Sequence, residues 1–456
     1  MGPTSRPEDP APARPGGRRA RLVARVLVPA ALAGVLLVQA YLIRATTSAT
    51  YDEDTYVRLG LEIYRRGDFR PLDEWKVAPL PLLLEYWLPA AGPAPRQGTP
   101  GWNAAEPGLI RRARLATAVV VGVPLVLAVY AWLAARRGWP AGALGGGLMA
   151  LSPSIVAHAS IATTDACFAL FTILALAAFH RYEVRPSPRS LAAAGVGLGL
   201  ALSAKHTGVF LVPVALLPLG RRAARVAVAA GPRRPTTRVD LALGVLAGTA
   251  GRLAALGAVA FAVNWAAFGF GTGPTFSSGR THLWPPVAAS LFTWLDPRAA
   301  AIEAYLYHLR PPLPIDTFLG QWAHADMGHE AFLMGRHSDQ GWWYYFPVAL
   351  ALKSTPGELA LAAAVAVLAC NPRSWSDPAR RLWLTALGGF AAFLMTSPLN
   401  AGHRYALPAY PLAFLVAVDG LAGLGRRRPA LASAVGATLL AGQLAAAVSI
   451  APHDLA

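Results

Sequence analysis

The chain has 456 residues, of which 55% are hydrophobic and only 14% charged, with a mean hydropathy of +0.41. Soluble domains carry roughly 25% charged residues, so a soluble globular class is excluded. The formal charge of +17 does not point to nucleic acid, because the arginines sit in short clusters beside apolar blocks, where they act as topology signals.

Residues 1–20 are rich in Pro, Arg, Gly and Ala without an apolar face and read as a disordered cytoplasmic tail. The rest, 21–450, reads as one transmembrane domain. The first apolar block runs from about Leu22 to Ile43, long enough to span a bilayer and too long for a cleaved signal peptide. A polar segment follows at 44–114. Further blocks centre on 115–135, 139–158, 166–181, 190–204, 206–220, 241–268, 355–371, 382–398, 405–424 and 429–449. The expectation is an all-α polytopic membrane protein of about eleven transmembrane helices. A second long polar loop lies at 269–341, and Trp342–Lys353 reads as an interfacial aromatic helix. The blocks flanking Lys205 are short and also read as a broken or re-entrant pair.

Positive charge fixes the orientation. With the tail inside the cell, the short loops predicted inside carry Arg136/Arg137, Arg181/Arg185/Arg189, Arg221 to Arg238, Arg373/Arg380/Arg381 and Arg426–Arg428. The opposite short loops are nearly free of arginine, which puts the N-terminus in the cytoplasm of a cell membrane. Cys167 and Cys370 imply neither a disulfide framework nor a metal site.

On this topology the unusual polar residues gather on the outer side. They are Asp52-Glu53-Asp54, Lys76, His158, Thr164-Asp165, Lys205-His206, the loop 269–341 and Asn400 to Tyr405. Ionisable groups at membrane depth are costly unless paired or wet, so they mark cavities. Lysine occurs only at Lys76, Lys205 and Lys353, each a site where a point charge serves better than a planar fork. A carboxylate of the Asp52-Glu53-Asp54 run suits proton abstraction or a divalent cation such as Mg or Mn; it equally suits the positive end of a helix. Thr164-Asp165 reads as a helix cap or as a site acid. Lys205 and Arg404 read as phosphate-neutralising cations or as snorkelling side chains. His324-Ala-Asp326-Met-Gly-His329-Glu330 matches no zinc spacing and reads as structural. Trp322, Trp342, Trp343, Tyr344 and Tyr345 read as an interfacial belt whose faces also suit sugar stacking.

The ordered motifs resemble the dolichyl-phosphate-mannose protein mannosyltransferase and aminoarabinose transferase family (glycosyltransferase family 39). They are Asp52-Glu53, Gly67-Asp68-Phe69, Ala78-Pro79-Leu80-Pro81-Leu82, Thr164-Asp165, Lys205-His-Thr-Gly208, Gly341-Trp-Trp-Tyr-Tyr-Phe346 through Lys353-Ser-Thr-Pro356, and Asn400-Ala-Gly-His-Arg-Tyr-Ala-Leu-Pro408. The resemblance covers most of the chain, from about residue 22 to 424. Val77-Ala78 departs from a proline pair common in the family, and the sequence stops after its last block without a following soluble domain.

The resemblance implies a GT-C fold with extracytoplasmic loop helices. It implies a glycosyltransferase moving a hexosyl or pentosyl group from a polyprenyl-phosphate sugar donor to an extracytoplasmic protein, lipid or glycan acceptor, with inversion and no required cofactor. Asp52 would be the general base, with Glu53 orienting it or binding substrate. Lys205 and Arg404, with His403, Tyr405, Lys76 and Lys353, would hold the donor phosphate; Asp165 and Thr164 would brace the site. A secondary transporter or lipid flippase is the rival reading, and a non-catalytic scaffold another; the one-sided polar groups and the lack of an internal repeat weigh against the first.

Overall fold

The computed structural model describes residues 22–95, 97–229, 238–274, 308–328 and 330–451. The N-terminal tail, most of the segment 269–341 that precedes its last helix, and His329 therefore lie outside the described residues.

Every predicted apolar block falls on helix. The first is α1 (Val23–Thr46), and 115–135 lies within a 38-residue helix, α5 (Pro100–Arg137), that begins well inside the predicted first loop. Block 139–158 is a pair, α6 (Trp139–Ala150) and α7 (Pro153–Ala159), bent by 69°. Ser152 makes the bend by capping α7 through Ile155 N–H, with Pro153 in the first turn where its missing N–H costs nothing. Then come α8 (Thr164–Val184), α9 (Pro188–Ala204), α10 (Leu211–Ala229) and α11 (Arg238–Ala267). The last blocks are α14 (Pro356–Cys370), α15 (Pro378–Thr396), α16 (Ala409–Gly425) and α17 (Pro429–Ile450). Among the described residues, five helices are individually long and apolar enough to cross a membrane, six with the bent pair. The chain is a multi-pass membrane protein.

Polar segments are folded too. The first loop forms α2 (Tyr51–Arg66), α3 (Pro71–Trp75) and α4 (Pro79–Glu85). Thr50 and Glu53 make the capping box that starts α2, and Gly67 at φ 64° ends it in the left-handed region glycine tolerates. Val57, Leu61, Leu72, Leu82, Tyr86, Trp102 and Ile110 bury a small core of their own that reaches Phe268 and Leu313. The second loop contributes α12 (Leu313–Asp326) and a hairpin, β1 (Ala331–Leu333) with β2 (Arg336–Ser338), paired Ala331 to Ser338. The interfacial helix is α13 (Tyr345–Lys353). The hairpin is a small β addition to an otherwise helical fold.

Small residues let the spanning helices approach closely, the packing device favoured where lipid supplies no hydrophobic drive between helices. A Cβ on Gly195 or Gly199 of α9 would come within 2.9 and 2.6 Å of backbone oxygens of α11, and one on Gly197 within 2.9 Å of Ala175 on α8. Helix α9 is thereby clamped between the two.

One end of the bundle is tied by ions. Asp419 on α16 is fully buried and accepts from Arg137 (2.6 Å), Arg380 (2.6 Å) and Arg136 (3.3 Å). Glu183 at the end of α8 pairs with Arg381, and with Arg221 at 3.1 Å. These arginines, read from the sequence as topology signals, also join helix ends through buried carboxylates. Asp165 opens α8 and Glu183 closes it, about 27 Å away at 1.5 Å per residue. That is close to one hydrocarbon thickness.

Candidate functional site

At the other end lies a cavity of about 320 Å³ lined by groups from distant segments. From α2 come Asp52 and Tyr56, one turn apart on one helix face. The turn after α3 adds Trp75 and Lys76; the start of α8 adds Thr164 and Asp165; the break between α9 and α10 adds Lys205 and His206. Arg404 and Tyr405 enter from the turn before α16, and Phe318 and Trp322 from α12. Val77, Val209, Phe393 and Leu394 give the cavity apolar walls.

The broken backbone at Lys205 positions its ammonium. Helix α9 stops at Ala204, Lys205 is extended at φ −163°, and a 3₁₀ turn, His206–Phe210, leads into α10. This is the interruption expected from the short blocks, and it projects charge into the cavity from a helix terminus. Lys205 Nζ lies 2.5 Å from Oδ1 of Asp165 and 3.9 Å from the Tyr405 ring centroid. Asp165 is buried and is not a cap: the N-cap of α8 is Thr163, with no side-chain cap bond.

Arg404 donates to Oδ2 of Asp52. Burial opposes its charge, but the Asp165 and Asp52 carboxylates outweigh it, so its affinity for the proton is raised. Tyr56 is pushed well above the usual phenol range by burial and by the negative charges of Asp52 and Asp165, and so remains a hydroxyl donor. Lys76 sits in the left-handed region at φ 54°, uncommon for a residue with a Cβ. Its ammonium donates to the Glu74 carbonyl, at 3.5 Å. Among the described residues Lys76 is thus a lining cation with no carboxylate in a salt bridge. His206 is buried with Nε2 unpaired.

Glu53 stands apart from this group. It is fully buried and does not line the cavity. Arg114 of α5 holds it in a two-pronged pair, Nε to Oε1 at 2.7 Å and Nη2 to Oε2 at 2.6 Å. The N–H groups of Ala162 (3.0 Å) and Thr50 (2.9 Å) complete its shell. Although burial pushes its proton affinity up, the arginine and these donors hold it below the ordinary value. Its lone pairs are committed to the fold, so the geometry gives it a bracing position rather than a place against substrate. Asp54 turns a third way, to Arg58 at 2.7 Å. Successive helix positions diverge by about 100°, so the acidic run does not converge on one point.

Two further site residues assigned from the sequence, His403 and Lys353, also lie outside the cavity lining. His403 packs against His158, ring centroids 5.6 Å apart, and burial with the nearby Lys353 charge lowers its proton affinity. Lys353 ends α13. The aromatic belt divides: Trp322 lines the cavity, Trp343 is exposed, and Tyr345 is buried with its hydroxyl accepting from Gly402 N–H at 3.1 Å. Asn400 accepts from Trp342 N–H at 2.7 Å, so the segment carrying Arg404 is tied to the entry of α13. In the His324–Glu330 segment, His329 and the Asp326 side chain lie outside the described set.

The sequence reading did not single out Arg114, Tyr56 or Phe318. Tyr56 was recoverable from its place one turn after Asp52. Arg114 was signalled by a charge entering an apolar helix. Phe318 carried no local signal.

Comparison with known proteins agrees with this architecture. A family model described as dolichyl-phosphate-mannose-protein mannosyltransferase matches residues 102–221. No curated protein matches the sequence. The fold is similar to ArnT from Cupriavidus metallidurans bound to undecaprenyl phosphate, with a TM-score of 0.52 and 16% identity over 88% of this chain and 60% of that one. It is similar to the archaeal oligosaccharyltransferase AglB from Archaeoglobus fulgidus in complex with an inhibitory peptide and a dolichol-phosphate, with a TM-score of 0.50 and 15% identity over 94% and 54% of the two chains. This chain therefore spans only three-fifths or less of their lengths. The GT-C fold expected from the motifs is the fold of the chain.

Proposed function

We propose that this multi-pass membrane protein of GT-C fold transfers a sugar from a polyprenyl-phosphate carrier to an acceptor hydroxyl outside the cytoplasm of the cell membrane. One observation carries the reading: a single cavity with apolar walls holds Asp52 beside Lys76, Lys205 and Arg404. Cations on a carboxylate-bearing pocket with apolar walls suit a donor with a phosphate head and a prenyl tail. Two structures of the same fold are bound to such lipids, undecaprenyl phosphate and a dolichol-phosphate.

In this scheme the acceptor oxygen attacks the anomeric carbon as the bond from that carbon to the phosphate oxygen breaks. The acceptor proton goes to Asp52, and the electron pair leaves with the polyprenyl phosphate. Attack from the face opposite the phosphate inverts the anomeric centre. Lys205, Arg404 and Lys76 would stabilise the departing anion, and preorganised charges aimed at a developing anion are worth most in a partly dry site. Asp165 braces Lys205, with Thr164 beside it in the lining, and Tyr405 offers its ring face to the ammonium. Arginine-rich loops on the opposite end support an outward-facing cavity and a cytoplasmic N-terminus. The scheme requires no cofactor, although Asp52 and a donor phosphate together form a set that Mg or Mn could bridge.

The test is to give the purified protein an undecaprenyl-phosphate sugar together with a hydroxyl-bearing acceptor and measure released undecaprenyl phosphate and the anomeric configuration of the product. Release with inversion is expected. Lipid or sugar movement across vesicles with no release would make the protein a flippase or transporter instead.

A further inference from the structure

A second cavity, about 720 Å³, lies along another face of α2. Tyr51, Asp54, Arg58, Glu62 and Arg66 line it, recurring at the three- and four-residue spacing of one helical face. Asp52 and Tyr56, on the neighbouring face, line the first cavity, and Trp75 lines both. The two spaces therefore share Trp75 as a wall, and the candidate base lies on the face of α2 next to the one that lines the second.

The second cavity is chemically unlike the first. Its charges alternate and are already paired: Arg58 with Asp54 at 2.7 Å and Arg66 with Glu62 at 2.8 Å. No net charge is left to draw a polyanion. Tyr51 and Trp75 are 91% and 52% exposed. Planar carboxylates and guanidiniums one helical turn apart present acceptors and donors to a ligand bearing both in close succession. Exposed aromatic rings offer flat faces to the apolar C–H side of a ring. From Tyr51 to Arg66 the helix runs about 22 Å at 1.5 Å per residue, long enough for more than one ring.

We infer that this groove binds a neutral, hydroxyl-rich chain, a saccharide acceptor, and presents one of its hydroxyls to Asp52. The inference rests on the glycosyl-transfer reading of the first cavity and names the acceptor class for it. A phosphorylated headgroup meets a carboxylate beside each guanidinium and gains nothing net. A peptide seeks main-chain partners along a strand edge, and the lining here is the side-chain face of a helix.

The experiment uses the full chain in nanodiscs and saturation-transfer NMR with neutral methyl glycosides and their di- and trisaccharides, of hexose and pentose type. Transfer to ring protons is expected with the wild type. Tyr51→Ala combined with Glu62→Gln should weaken it about tenfold, the scale of one lost charge-assisted hydrogen bond. Undecaprenyl phosphate binding, measured on the same sample, should be retained and shows the variant folded. The inference is overturned if no saccharide gives transfer, if transfer survives the double substitution, or if a neutral peptide competes the saccharides away. Saccharide binding without undecaprenyl phosphate binding would instead remove the donor reading and leave the groove standing.

Discussion

The Arg404 guanidinium donates to the carboxylate of Asp52 across 352 positions of sequence, so the candidate base and a candidate phosphate cation hold each other. A donor phosphate that draws Arg404 toward itself releases Asp52 at the moment an acceptor proton needs a home. The two residues therefore separate kinetically. Asp52→Asn should leave undecaprenyl phosphate binding intact and lower kcat by about 10² to 10⁴, the range of a lost general base. Arg404→Ala should weaken donor binding and kcat together, and Arg404→Lys should restore part of each, because the charge returns without the planar fork. Equal effects of Asp52→Asn on lipid binding and on kcat would mean that Asp52 is only a tether.

Lys205 and Asp165 make the other ion pair of the cavity, with Asp165 3% and Lys205 16% exposed. Removing one partner of a buried pair costs roughly 3–5 kcal/mol because the other charge is left uncompensated. Lys205→Met should thus lower thermal stability as well as activity. Lys205→Met with Asp165→Asn should recover most of the stability and none of the turnover. A double variant as unstable as the single one would show that the pair is not what Lys205 contributes to the fold.

How much of this was readable in advance divides by the range of the signal. Hydropathy is local, so every predicted apolar block fell on helix, and the short blocks at Lys205 correctly marked a broken backbone. The span ends were less readable, because α5 continues into polar sequence and block 139–158 bends at Ser152-Pro153. Asp52, Lys76, Lys205 and Arg404 were legible as charges gathered at one end of the spans, and they do line one cavity. The separation of Asp52 from Glu53 was not. Neighbouring helix positions point about 100° apart, and only Arg114, 61 residues on, decides that Glu53 faces inward. The buried partners of Arg137 and Arg381 were equally invisible, because Asp419 and Glu183 sit within apolar helices without any periodic cue.

The metal question has a direct outcome. Asp52, Glu53 and Asp54 diverge, and the scheme runs on protein cations alone, so turnover should survive EDTA. Loss of activity that Mg or Mn restores would place an ion between Asp52 and the donor phosphate, and the roles of Lys205 and Arg404 would shrink accordingly.

Asp419 gathers Arg136, Arg137 and Arg380 at the far end of the bundle. Asp419→Asn leaves three guanidiniums around a neutral amide and should lower the melting temperature markedly, by the same several-kcal/mol penalty as any uncompensated buried charge. The cavity lies at the other end of the bundle, so the donor KM of the surviving folded fraction should stay near the wild-type value. A changed KM with unchanged stability would make the cluster a functional element rather than an anchor.

Glu53 and Glu85 give the last prediction, because both are completely buried and only one has a cation. Glu53 has Arg114, which holds its carboxyl below the ordinary value of 4.5. Glu85 has no hydrogen-bond partner on either oxygen: the nearby Thr117 hydroxyl spends its hydrogen on the Ala113 carbonyl, at 3.0 Å. Burial first, with the Glu53 and Asp165 charges adding to it, pushes the Glu85 carboxyl well above 4.5. The two signs oppose. A depressed carboxyl contributes stability above its unfolded value that is lost as pH falls below it; a raised one contributes stability below its unfolded value that is lost as pH climbs. Glu53→Gln should therefore destabilise the protein at neutral pH and flatten its acid limb below 4.5. Glu85→Gln should match wild type in acid and exceed it progressively from about pH 5 to 8, since a neutral amide has no charge to force into the core. Melting curves of the three proteins across that range decide the matter. If Glu85→Gln ran parallel to wild type throughout, Glu85 would be ionised in the fold and would have to own a cationic partner.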